Sequence, residues 1–98
     1  MTLARALSDR AWFRATCPNA SLRNGQQAVK DAKAACSIMI WKDEHTIDTL
    51  AVAYAETGDF NSAGQYVAQA LAVKGILPDS TKLFQQHLAF QQHKPIRL

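Results

Sequence analysis

The chain has 98 residues, 48% of them hydrophobic and 19% charged, which is the balance of an ordinary globular domain. That length holds one core of modest size and excludes two, and four Gly and three Pro are too few for a linker or a low-complexity repeat. The net charge of +3 is far below that of a nucleic-acid-binding domain, and no run of roughly 18 apolar residues exists to cross a membrane.

Helical punctuation runs the length of the chain. Leu3, Leu7, Ala11 and Ala15 recur every four residues beside Trp12, so a first amphipathic helix is predicted over 2–17, and Pro18 stops it. Residues 19–25 read as a loop with an Asn24-Gly25 turn signal. Ala28, Val29, Ala32, Ala35, Cys36 and Met39 line one face of a second helix, about 25–41. Asp43 is placed to cap a third, about 44–57, in which Ile47, Leu50, Ala51, Tyr54 and Ala55 keep the helical spacing throughout. Gly58 suits the left-handed residue that ends it. Asp59 can cap a fourth helix, with Phe60, Ala63, Val67, Ala70 and Leu71 on its buried face, closed by Gly75 and Pro78. Asp79 or Ser80 starts a fifth, whose apolar face is Leu83, Phe84, His87, Leu88 and Phe90, ending before Pro95. No segment alternates long enough for a strand, and the fold class is all-α.

A repeat underlies this order. Trp12 and Ile47, Asn19 and Tyr54, Ala28 and Ala63, Ala32 and Val67, and Ala35 and Ala70 are each 35 residues apart. Ile47, Leu50, Tyr54, Ala63, Val67 and Ala70, with the turn 54–60, resemble the tetratricopeptide repeat (TPR) pattern. Nearly the whole chain takes part as a single domain, 1–98: a degenerate repeat at about 9–42, a well-kept one at 44–77, and a capping helix at about 79–93. The resemblance implies a right-handed α–α superhelix of about five antiparallel helices. It also implies a protein-interaction module, in which the first helix of each repeat lines a concave groove. The matching groove positions are Arg10, Phe13, Arg14 and Cys17, then His45, Asp48, Thr49 and Val52, then Asp79, Lys82 and Gln86. Phe13, Thr49 and Val52 would form the apolar floor, and Arg10, Arg14 and Lys82 would orient an acidic segment that Asp48 opposes. The subfamily that clamps a terminal carboxylate uses Lys and Asn where this chain has Phe13, Cys17, Asp48 and Val52, so that clamp is not expected.

Charge is unevenly spread: residues 1–42 carry seven bases against Asp9 and Asp31, and residues 43–79 carry six acids against Lys74. That polarity could steer an acidic partner or pair two copies, although a solvated surface is the plainer reading. Cys17 and Cys36 would lie too far apart on antiparallel helices for a bridge, which predicts two small buried thiols.

No serine has a nucleophile-elbow context and no glycine-rich phosphate loop exists, so no enzyme is expected. His45, His87 and His93 share no ligand face, and neither a metal nor a cofactor is implied. Glu44 and Asp48 read as charges favourable to a helix start. The expected partner is a protein or peptide, with no nucleic acid and no membrane. A homodimer through apolar ends around Leu3, Leu7 and Phe90 is the structural alternative, and a regulatory tail of a larger protein is another. Arg5, Asp9 and Arg10 fall where a secretory signal would be apolar, so the cytoplasm is the expected compartment.

Overall fold

The computed structural model describes residues 3–74, which form four α-helices. They are α1 (Leu3–Thr16), α2 (Gly25–Ile38), α3 (Glu44–Glu56) and α4 (Phe60–Lys74), with a 3-10 turn at Ala20–Leu22 between the first two. The fifth helix expected at 79–93 lies outside the described residues.

Local chemistry sets the helix ends. Asn24 accepts the Gln27 N–H at the start of α2, so the Asn24-Gly25 pair begins a helix rather than making a free turn. Asp43 accepts the Thr46 N–H at the start of α3, and Asp59 accepts the Ser62 N–H at the start of α4. At the end of α3 the Asp59 N–H reaches the Tyr54 carbonyl and the Gly58 N–H reaches that of Ala55, with Gly58 at φ 87°. That is the Schellman arrangement, and glycine is the residue it suits.

The end of α2 makes the same two hydrogen bonds, but with two successive non-glycine residues, Ile40 at φ 55° and Trp41 at φ 57°, in the left-handed region. Trp41 N–H donates to Cys36 and Ile40 N–H to Ser37, which places Ile40 where Gly58 stands in α3. A β-branched residue in that region costs about 1–2 kcal/mol, and Ile40 is 72% exposed, so the interior offsets little of it. Ile40→Gly is therefore expected to stabilise the fold by about 0.5–1 kcal/mol after glycine's own entropic cost. Thermal denaturation should show the midpoint rising by roughly 3–6 °C.

The helices run up, down, up, down. Arg14 meets Asn24 and Asp31 while Ala4 and Met39 share a cleft, so α1 and α2 are antiparallel. Gly25 sits against Glu56 and Thr57, which makes α2 and α3 antiparallel as well. The Ser8 hydroxyl donates to Thr49 Oγ1 at 3.1 Å inside the α1–α3 contact, and these two helices run parallel. α4 packs back on α3 after the short turn at Thr57–Asp59.

Alanine makes this packing close. Ala11, Ala15, Ala28, Ala32, Ala51, Ala53, Ala63 and Ala70 are fully buried with Ile47, Leu50, Val52 and Val67, and small side chains let axes approach near 8 Å. Burial follows the 35-residue spacing: Ala15 and Leu50, Thr16 and Ala51, Ala28 and Ala63, Ala32 and Val67, and Ala35 and Ala70 are all fully buried. One expected core position, Met39, is corrected, at 39% exposure, while Leu3, at 66%, lies at the open end of the domain where an apolar end surface was expected. The buried line on α1 starts at Ala4 and continues through Ser8. Trp12, Tyr54 and Phe60 are partly buried and pack on the core, as expected of them.

Cys17 and Cys36 are free and buried. Burial pushes the Cys36 thiol up to about 11, although a hydrogen bond with Thr46 acts against that rise. At pH 8 only about one Cys36 in a thousand is then thiolate. A thiol reagent should label it no faster than the chain opens, and labelling at a free-cysteine rate would contradict the packing.

Candidate interaction surface

The described residues expected to line a groove fall on or next to the contacting helices α1 and α3, but Cys17, Asp48, Thr49 and Val52 are buried. Arg10 and Arg14 of α1 both bind Asp31 of α2, which is 4% exposed. The Arg10 fork is bidentate, with Nε to Oδ2 at 2.9 Å and Nη2 to Oδ1 at 2.8 Å. Arg14 Nη1 adds a contact of 3.0 Å to Oδ2, and Gln27 Nε2 donates to Oδ1 at 3.1 Å. Burial pushes the Asp31 carboxyl up, but the hydrogen bonds from Arg10 and Gln27 and the charges of Arg10 and Arg14 outweigh it. The group is held below its ordinary value. These arginines therefore tie α1 to α2 by sharing a single carboxylate between two guanidinium groups.

Thr49 and Val52, expected as an apolar floor, are fully buried, and Asp48 is 3% exposed. The composition of α3 accounts for Thr49 and Val52, since apart from Asp48 and Tyr54 every residue from Ile47 to Ala55 is apolar or small. A helix of that kind is a central helix, not the wall of a groove. Cys17 is buried as well. Phe13 alone of the expected floor is open, at 46% exposure, and His45 is partly exposed. Asp79, Lys82 and Gln86 lie outside the described residues.

A different concavity appears at the end of the domain where α1 begins, α2 ends and α3 begins. It is an open cleft of about 380 Å³ lined by Ala4, Arg5, Ser8, Met39, Asp43, His45 and Thr46. Most of its polar groups serve the fold. Ser8 donates to Thr49, Asp43 caps α3, Thr46 Oγ1 donates to the Asp43 carbonyl, and Arg5 lies 3.7 Å from Asp9. A hydroxyl committed in this way is not an activated nucleophile.

Exposed apolar residues adjoin the lining residues Ala4 and Met39 in the chain: Leu3 is 66% exposed, Ile38 47% and Ile40 72%. Scattered apolar residues are normal on a surface, but Ile38, Met39 and Ile40 are consecutive and Leu3 adjoins the lining residue Ala4. Sequence reasoning placed Met39 in the core and did not single out Ile38 or Ile40. The available signal was the lack of a glycine after α2, which leaves an apolar run where a helix should end in a small or polar residue.

A half-buried aromatic stack lies elsewhere, on the α2–α3–α4 side. Tyr66 stacks on Tyr54 with centroids 5.5 Å apart and on Trp41 at 6.0 Å, and the Lys33 ammonium lies 5.6 Å from the Tyr54 centroid. These rings face one another and join the loop after α2 to the second hairpin.

Among the described residues no three His, Cys, Asp or Glu side chains come together as a metal-binding group. No helix among them is long and apolar enough to cross a membrane. Comparison of the chain with family models, with curated proteins and with solved structures finds no match.

Proposed function

We propose that this chain is a non-enzymatic protein-interaction module, a short helical array of tetratricopeptide-like repeats, that engages a protein partner at the cleft end of the domain. The observation that carries the reading is the exposed run Ile38–Met39–Ile40 beside an open cleft, in a chain whose central helix is closed to solvent. Repeat character is supported by burial that recurs every 35 residues. The apolar residues supply the contact area, while Arg5, Asp43 and His45 at the cleft give a partner polar points of register. A partner bound here need not displace the helices, because the surface is formed before binding.

The test is a photo-crosslinking residue placed at Met39, at Phe13 or at Gln26, each in the whole chain and exposed to an extract of the source cells. A discrete adduct from position 39 and none from position 26 is the expected result. An adduct from position 13 alone would return the contact to the outer face of α1. Equal labelling from all three positions, or none, would remove the proposal.

A further inference from the structure

We infer that the occupant of the cleft end is a second copy of this chain, related by a two-fold axis, with Ile40 of each copy seated in the cleft of the other. The inference rests on the interaction reading above and names its partner.

Three features point to it. The first is Ile40 itself, which is held at φ 55° inside a Schellman arrangement and yet is 72% exposed. The equivalent place after α3 is Gly58, and the sequence has Gly75 exactly one 35-residue period beyond Ile40. An apolar side chain on a strained backbone, with little of it covered within its own chain, is a projection suited to burial against something outside.

The second is the position of the projection relative to the hole. Met39 lines the cleft of about 380 Å³ and Ile40 is the next residue. A two-fold interface sets one surface against itself, so that surface must carry both the knob and the socket. This end of the domain carries both, side by side.

The third is charge. Arg5 and Asp43 line the cleft, Asp9 lies beside Arg5, and Lys42 and Glu44 flank Asp43 in the chain. The signs are mixed within one small area, so two copies can meet face to face with Arg5 of one against acids of the other. A partner of one charge sign would meet attraction and repulsion together.

Sedimentation velocity on the whole chain over a wide concentration range tests this. The mass is expected to rise from 10.8 kDa toward twice that value. Ile40→Gly should move the midpoint of association at least about tenfold higher in concentration, while the melting midpoint of the dilute, monomeric variant rises. Gain in the fold with loss of association separates a contact role from a structural one. Leu22→Ser, at an exposed residue in the 3-10 turn, should leave association unchanged.

A chain that stays monomeric up to millimolar concentration overturns the inference, and so does a dimer indifferent to Ile40→Gly. Growth beyond the dimer into open polymers overturns the two-fold form. If the chain is monomeric while position 39 still crosslinks a different protein, the interaction reading stands and only the second copy is removed.

Discussion

Leu50→Ala is expected to cost about 3 kcal/mol, the middle of the range for emptying a fully buried leucine site. For a domain of this length that is on the order of a third of the total stability. The site has little means of collapse, because the core it shares is rich in alanine, including Ala15, Ala51, Ala53 and Ala63, whose single methyl cannot swing into a void. Urea denaturation should show a lower midpoint with an unchanged slope. The repeat sharpens the expectation. Ala15 holds the equivalent place 35 residues earlier, also fully buried, yet Ala15→Leu should destabilise too, by about 1–3 kcal/mol of overpacking. If either change proved neutral, the two sites would not be the close-packed places that their burial describes.

Asp31→Ala is the second large effect, at about 2 kcal/mol net of alanine's better helix propensity. It removes one buried carboxylate and leaves Arg10, Arg14 and Gln27 without their shared acceptor. The loss stays moderate because the Arg10 side chain is 52% exposed and the Arg14 side chain 30%, so both can turn to water. The pH dependence has a definite sign. Asp31 is held below its unfolded value of 3.8, so it stabilises the fold fully above that pH and loses the contribution as the pH falls below it. Stability of the native chain minus that of Asp31→Ala should therefore be flat from pH 7 to 5 and shrink on acidification below about 4. A difference that stays constant down to pH 2 would show that Asp31 is not the titrating clamp.

The helices were legible in the sequence because short-range chemistry sets them. Asp43 and Asp59 accept the N–H groups expected of caps, and Gly58 takes the left-handed place that ends α3. Burial of α2 and α4 was legible for the same reason, since Ala28, Ala32 and Ala35 and their counterparts keep one face. What escaped depends on which elements surround a residue. Thr49 and Val52 sit at positions that a two-layer array would leave open, but α3 has packed neighbours on several sides, so they are closed off. A partial signal was present from Ile47 to Ala55, where every residue but Asp48 and Tyr54 is small or apolar, and Asp48 itself argued for a wet face. Ser8 escaped because its burial depends on one hydroxyl partner 41 residues away. Asp31 was visible only as a lone acid among the alanines of α2, and its two arginines come from another helix. Neither the cleft nor the exposed Ile40 could be read from periodicity, since both lie where three chain segments meet end to end.

The enclosure of α3 also sets the order in which the molecule opens. Amide protons from Ile47 to Ala53 sit in the middle of a helix with no wet side, so solvent deuterium should reach them only when the whole domain unfolds. Those of Ser37 to Lys42 belong to a strained, outward-facing helix end and should exchange through local fraying, at a free energy well below the global one. The chain then holds its shape around a slow-exchanging axis while the end that carries its exposed apolar run samples looser states.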